Sequence, residues 1–457
     1  MTGSGNSLGK ILRNAGSLLV GQLAAIGFGV ADTMLVGRYS SEDLAALALG
    51  ISIGVSIMVT MFGVMSAMMP TVGRNFGARA YSEIGRDVQQ GVYLALLCSA
   101  VAMPILWFSD WLLVLARVPE PLHDKVALYL RFIAFSVPFS LLFRVFSGLN
   151  VGISRPAMVT FIQLAALPLK IVLSAWFIYG GLGLVAMGSP GAGLATLLSM
   201  FSMALVALAL LSFDRSYARY VIFEHWRAPS VQRLGALLRL GVPSGAVLFV
   251  EVTSFTVMAI FISRLGTELL AGHQIASSVA TVLYMLPLSL GMASSAICAQ
   301  QLGAGNARAA QRTAYLAVRL TTLITLVLGV VVFLARDSLA ALYSPNQSVA
   351  ALAAGLFIFI AAYQLGDGLQ CLASFLLRSY KVAVWPLVVY VVSLWGIGLG
   401  GGYALGFNVL GNTPIWAQGA NGFWLANAAS LVLAAAALLA MLRHFAKVSV
   451  RAQSASG

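Results

Sequence analysis

Charge is scarce in this chain. Only 9% of its 457 residues are Asp, Glu, Lys or Arg, against 60% that are hydrophobic. A water-soluble domain of this length would need a far more polar exterior, so a soluble globular protein is excluded. Cysteine is limited to Cys98, Cys298 and Cys371, each isolated within an apolar stretch; neither a disulfide framework nor a thiolate metal site is indicated. The histidines His123, His225, His273 and His444 form no His-x-x-x-His pair. No phosphate-cradling Gly-x-x-x-x-Gly-Lys-Ser/Thr run occurs, and no polar segment is long enough for a nucleotide-binding domain. ATP-driven work by this chain alone, an enzymatic role and a bound cofactor are therefore not expected.

What the chain has is a succession of apolar stretches of bilayer-spanning length, about 20 residues each. Twelve are read at 14–36, 44–69, 89–112, 126–150, 158–180, 191–213, 236–262, 270–299, 314–335, 350–377, 384–407 and 420–442. They are too long and too uniformly apolar for barrel strands, so an all-α membrane protein with twelve transmembrane helices is expected. The first stretch follows Lys10 and Arg13 as a secretory signal would. It runs on to Val36 without a small-residue cleavage site, which marks a span instead.

The net charge of +13 encodes orientation rather than nucleic-acid binding. With the N-terminus in the cytoplasm, most Lys and Arg near span ends fall on that side, among them Lys10, Arg13, Arg74, Arg86, Arg144, Arg155, Arg312, Arg378 and Lys447. Only Arg38, Arg117, Lys125, Arg131, Arg264 and Arg336 fall opposite. Both termini are expected to be cytoplasmic.

The chain also repeats. Arg38-Tyr-Ser-Ser-Glu42-Asp-Leu44-Ala45 aligns with Arg264-Leu-Gly-Thr-Glu268-Leu-Leu270-Ala271, an offset of 264 − 38 = 226 residues. The same offset pairs Gly77 with Gly303, Arg86 with Arg312 and Arg155 with Lys381. Two six-helix lobes related by pseudo-two-fold symmetry are expected, residues 1–213 and 236–457, joined by a cytoplasmic loop over 214–235. Parallel repeats of this kind are frequent in secondary transporters, with the substrate path between lobes.

Three carboxylates, Asp32, Glu251 and Asp367, interrupt the apolar runs. A carboxylate at a helix centre costs about 2.5–3.5 kcal/mol on insertion scales and by default marks a functional position. The repeat sharpens this: the offset pairs Asp32 with Met258, Glu251 with Ala25 and Asp367 with Leu141, so the scaffold does not demand an acid in both halves. Counting about 1.5 Å per residue from flanking basic residues puts Asp367 ~16 Å, Glu251 ~18 Å and Lys170 ~22 Å into the membrane. Asp32, at ~28 Å, falls near the outer mouth and is read as a functional acid, with snorkelling to the surface as the bland alternative. Tyr363, Asp367, Gln370 and Ser374 share one helix face, as do Ser244, Glu251 and Ser254, and Lys170 and Ser174. The two acids and Lys170 can thus meet, either as a coupling site for a proton or metal cation or as a buried structural ion pair. His273 and Gln274 open span 8, where they could touch substrate at the outer mouth, although a plain interfacial histidine is the favoured account. Pro138, Pro168, Pro243 and Pro287 mark possible bends.

Several of these runs resemble the multidrug and toxic compound extrusion (MATE) family, in its bacterial branch. Gly-Val-Pro-Ser-Gly-Ala-Val-Leu-Phe-Val-Glu251-Val-Thr-Ser-Phe, followed by Leu-Ala-Gly-His273-Gln274-Ile-Ala, is similar to that family's seventh span and the start of its eighth. Gln22 with Val-Ala-Asp32-Thr-Met-Leu-Val-Gly37 is similar to its first, and Tyr363-Gln-Leu-Gly-Asp367-Gly-Leu-Gln to its tenth. The resemblance implies a multi-pass protein of the bacterial inner membrane, working as a monomer. It would export small organic cations and other amphipathic drugs in exchange for H+ or Na+. It further implies that Glu251, Asp367 and Tyr363 handle the coupling cation, a metal ion if that is Na+, and that Asp32 and Gln22 handle proton or drug. Lys170 and Ser174 stand where sodium-coupled members often carry amides. An ammonium beside the acids would compete with Na+, which favours H+ as coupling ion. The alternative is a lipid-linked saccharide flippase of the same superfamily. A pyrophosphate head group would need a cationic cavity, however, and Lys170 is the lone intramembrane base against three acids.

Overall fold

The computed structural model describes residues 2–116, 118–181, 183–224 and 226–456; Arg117 and His225 lie outside them. Among the described residues, twelve helices are long and apolar enough to cross a membrane. They are α1 (Ser7–Tyr39), α2 (Ser41–Gly77), α3 (Tyr81–Trp107), α4 (Glu120–Gly152), α5 (Pro156–Tyr179), α6 (Ser189–Phe213), α7 (Val231–Ser263), α8 (Thr267–Gly303), α9 (Ala307–Tyr343), α10 (Gln347–Ser379), α11 (Val384–Gly406) and α12 (Ala420–Ala455). The chain is a multi-pass helical membrane protein, as the apolar runs require.

Most helices outrun the apolar stretches that announce them. α9 begins at Ala307, not 314, because Asn306 caps it: its side chain accepts from the Ala309 N–H at 2.9 Å. Ala and Arg then continue the helix without needing lipid. α2 is interrupted at Ser66 and Ala67, between the pieces Ser41–Met65 and Met68–Gly77. Pro138, Pro168, Pro243 and Pro287 all lie inside continuous helices. α11 widens to π-helical geometry over Val391–Gly400, a stretch rich in glycine.

Two compact units emerge from the packing, residues 16–245 and residues 246–457 together with 1–15. In the first, α4 is central and packs against α2, α3 and α6; in the second, α10 packs against α8, α9 and α12. α4 and α10 correspond under the repeat offset. Leu141 on α4 is fully buried in the first unit at the position that Asp367 occupies on α10 in the second. One central helix closes its core with leucine, and the other puts a carboxylate there.

The boundary at 245/246 falls inside α7, beyond the 214–235 segment, because that segment is fastened to the first unit. Arg215–Tyr220 forms a short 3-10 helix. Tyr217 donates to Asn150 Oδ1 at 2.7 Å, and Gln89 donates to the Ile222 carbonyl at 2.7 Å. Gln90 Oε1 accepts from the Ser230 N–H at 2.8 Å, and Arg233 reaches Asp87 at 3.2 Å and also pairs with Glu83. Gly85 permits the approach, since a Cβ there would overlap the Tyr220 carbonyl. Further along, Gly241 and Gly245 of α7 lie so close to Val64 and Thr60 of α2 that neither position has room for a side chain.

Candidate functional site

Four intramembrane charges fall into two clusters, Glu251 with Asp367 in the second unit and Asp32 with Lys170 in the first. In the second unit, α7 contributes Glu251 and α10 contributes the stripe Tyr363, Asp367, Gln370 and Ser374. Tyr363 and Asp367 are 3% and 1% exposed, while Glu251 is half-buried. The Gln370 amide joins the two acids: its Nε2 donates to Glu251 Oε1 at 3.3 Å and to Asp367 Oδ1 at 3.2 Å. From α8, the Tyr284 hydroxyl donates to Glu251 Oε2 at 3.5 Å and accepts from Cys371 Sγ at 3.4 Å. Asp367 Oδ2 and Gln370 Oε1 are buried without a hydrogen-bond partner. Such acceptors are costly in an apolar interior unless something positive meets them. Two carboxylates bridged through one amide also repel each other, and a small cation between them relieves that repulsion. Tyr363 supports Asp367 from one turn away, its ring held edge-on by Phe255 and Trp424 at centroid distances of 6.2 and 5.8 Å.

In the first unit, Asp32 of α1 meets Lys170 and Ser174 of α5. Lys170 Nζ lies 2.8 Å from Asp32 Oδ2, and Ser174 donates to Asp32 Oδ1 at 2.7 Å. The two other Lys170 contacts come from α6: the Ala192 carbonyl and Thr196 Oγ1, both at 2.9 Å. Lys170 and Ser174 are fully buried and Asp32 is 4% exposed.

This geometry bears on three readings of the sequence. Lys170 pairs with Asp32, and the Ala192 carbonyl and Thr196 take its two other contacts, all within its own unit, so its ammonium gives no reason to favour H+ over Na+. Asp32 does not snorkel at the outer surface, because α5 carries a countercharge directly to it. His273, read as an interfacial residue or a substrate contact, is 1% exposed, packs on Trp424 at 5.8 Å, and has Ser277 Oγ 3.4 Å from its Nε2. Its neighbour Gln274 is exposed and Gln22 is half-buried, and neither belongs to the bonds of the two clusters given above. Arg378, counted among the cytoplasmic flanking charges, is 3% exposed. Its guanidinium lies 4.3 Å over the Phe375 ring and donates to Ser374 at 3.3 Å, extending the polar stripe of α10 by another turn. Arg144 is half-buried, 4.0 Å over the Phe62 ring.

The comparisons with known proteins agree with one another. A family model described as MatE matches residues 18–176 and 243–404, covering most of both halves. The chain belongs to the MatE family. Among this MatE chain's relatives, a probable multidrug resistance protein NorM of Aromatoleum aromaticum is 35% identical over 93% of this chain and 92% of its own length. The multidrug resistance protein PmpM of Pseudomonas aeruginosa is 34% identical over 97% of this chain and 93% of its own. Solved MATE transporters share the fold. AtDTX14, a eukaryotic one, superposes with a TM-score of 0.86 at 19% identity, over 98% of this chain and 99% of its own. VcmN of Vibrio cholerae in the bent form gives 0.85 at 16%, with the same coverages.

Two groups of partners in this MatE chain escaped the sequence reading. Tyr284 sits one turn before Pro287 in an apolar run, and a lone phenol there looks like any aromatic core residue. Ala192 contributes only a backbone carbonyl, which carries no side-chain signal at all. Thr196, four residues on, bonds that same carbonyl at 2.9 Å and reads in sequence as a routine back-bonded threonine.

Proposed function

We propose that this protein is a secondary multidrug antiporter that exports organic, often cationic, amphipathic compounds in exchange for inward H+ or Na+. The observation that carries the exchange is the Glu251–Gln370–Asp367 bridge, with buried acceptors Asp367 Oδ2 and Gln370 Oε1 left over. Those acceptors can be satisfied by one proton or by one Na+ completed with neutral oxygens from Tyr284 and Tyr363. The cargo class is supported by the multidrug-resistance names of relatives matched over nearly the whole chain. A saccharide flippase draws no support from them, and transport of this kind leaves the cargo chemically unchanged.

In this reading Glu251, Asp367 and Tyr363 take up the coupling cation, and Asp32, with Lys170 and Ser174, forms a second charged centre. Lobes 1–213 and 236–457, joined through 214–235, rock about the cargo path. Cation uptake favours the outward-facing form, since a ligand shifts an equilibrium only by its differential affinity for the two states. The chain acts as a monomer in the bacterial inner membrane, and both termini are cytoplasmic, the orientation that the distribution of its Lys and Arg supports.

Everted vesicles loaded with a fluorescent organic cation test the reading. Imposed pH or sodium gradients should drive drug movement by the wild type, and whichever gradient drives it identifies the ion. Glu251→Gln and Asp367→Asn should each reduce exchange to the level of empty vesicles while protein abundance is maintained. Undiminished exchange in either variant rules out the bridge as the coupling site.

A further inference from the structure

The second unit carries four carboxylate side chains, and none lies at the end where α8 passes into α9. Glu251 and Asp367 belong to the bridge, and Glu268 opens α8 at its far end. Asp337 stands 337 − 308 = 29 residues along α9 from Arg308, about 44 Å away. Bases gather where the acids are missing. α9 displays Arg308, Arg312 and Arg319, with Tyr315 between the last two; the steps of four, three and four residues put them on one exposed face, while Ala307, Ala310 and Ala314 are buried behind it. α12 displays Arg443, Lys447 and Arg451 at steps of four, backed by the buried Leu438, Leu442 and Ala446. Gln453 clasps the two helices together: its Oε1 accepts from the Ala307 N–H at 2.7 Å, and its Nε2 donates to the Gly305 carbonyl. Arg308 and Arg451 therefore flank one junction. Among the described residues, none of these six bases has an ion-pair or hydrogen-bond partner, whereas Arg86 and Arg233 of the first unit both pair with Glu83.

Orientation during insertion needs basic residues near span ends and is indifferent to the face they occupy. Here the bases of α12 start where its apolar run stops, at 442, and continue along a single face. That geometry meets phosphates at headgroup depth. Five of the six bases are arginine, whose planar fork matches two phosphate oxygens at once. Arg319, inside the apolar run of α9, reaches the same level along its own stem. We propose that the basic face of α9 and α12, joined at Gln453, is a binding surface for the phosphate groups of anionic phospholipids. It does not depend on the antiport reading; the orientation given there only makes the leaflet the cytoplasmic one.

The test uses the full chain in a neutral detergent and titrates it with phosphatidylglycerol or, for comparison, phosphatidylcholine. Phosphatidylglycerol should bind saturably and raise the unfolding midpoint, with an apparent affinity roughly tenfold or more above that of phosphatidylcholine, and the difference should shrink in high salt. The variant Arg443→Gln, Lys447→Gln, Arg451→Gln should lose that preference while keeping its midpoint in phosphatidylcholine. A control with as many charges removed at the other end, Arg38→Gln, Arg264→Gln, Arg336→Gln, should keep it. Equal binding of the two lipids by the wild type overturns the proposal, as does an undiminished preference in the α12 variant or an equal loss in the control. Displacement of the lipid by millimolar inorganic phosphate would mark a site for free phosphate and overturn it too. Should the α12 variant not fold, the wild type alone decides: phosphatidylglycerol, and not phosphatidylcholine, should shield Lys447 from acetylation and leave Lys125 unaffected. Equal acetylation of Lys447 in both lipids refutes the surface. No step involves transport, so the outcome is separate from that of the vesicle experiment.

Discussion

Replacing Asp32 and Lys170 singly and together should expose how strongly the first unit depends on its internal ion pair. The pair is fully withdrawn from the surface, with Lys170 at 0% and Asp32 at 4% exposure, and its direct contact is 2.8 Å. Asp32→Leu leaves the ammonium with two neutral oxygens and no countercharge. Lys170→Met leaves the carboxylate with the Ser174 hydroxyl alone. Stranding one member of a buried pair costs about 3–5 kcal/mol, so each single change should remove a large share of a stability of roughly 5–15 kcal/mol. The double change strands nothing and places two apolar side chains of similar size in contact; it should cost no more than about 1–2 kcal/mol, since buried pairs are often replaceable at little or no loss. Non-additivity should therefore reach at least about 4 kcal/mol, well above the coupling between distant sites. Denaturant or thermal unfolding of the purified protein in detergent measures it. Single variants that each lose under about 1 kcal/mol, or a double variant whose loss equals their sum, would show that the pair is not electrostatically coupled as its geometry requires.

Two other changes address different links of the argument. Gln370→Leu keeps the volume but removes the amide that donates to both Glu251 and Asp367; each lost bond to a charged group is worth about 1.5–3 kcal/mol, so exchange should fall by at least tenfold in vesicles with abundance unchanged. Wild-type exchange in that variant would mean the bridge is incidental. Gly85→Leu drives a side chain into the Tyr220 carbonyl; overpacking of about 1–3 kcal/mol should loosen the 215–230 segment and raise trypsin cleavage at Arg215 and Arg219 by roughly 5- to 150-fold. Unchanged cleavage would show that the segment is held by other contacts.

Much of the fold was legible in the residues because lipid removes most alternatives. An apolar run of about 20 residues can only be a helix, and the recurrence of such runs sets their number. Helix ends were less legible: Asn306 and the Ala-Arg turns after it extend α9 by ordinary capping, which leaves no trace in hydropathy. The linker read as a cytoplasmic loop; that Gln89, Gln90 and Arg233 bind it down and Gly85 makes room for it is invisible until their distant partners are known.

The candidate site divides in the same way. That Asp32, Glu251, Asp367 and Lys170 are exceptional follows from the chain alone, since a charge among apolar neighbours carries its cost wherever the helix ends up. Depth counted along a helix is a one-dimensional coordinate. It could say that Lys170 and the acids lie at comparable heights, but not which helix face turns towards which neighbour. Only the packing decides that α5 presents Lys170 to α1 and α6, and that α7 and α10 bring Glu251 and Asp367 together through Gln370. Partner choice between helices depends on rotation and crossing in three dimensions, and those are set by side chains far away in sequence.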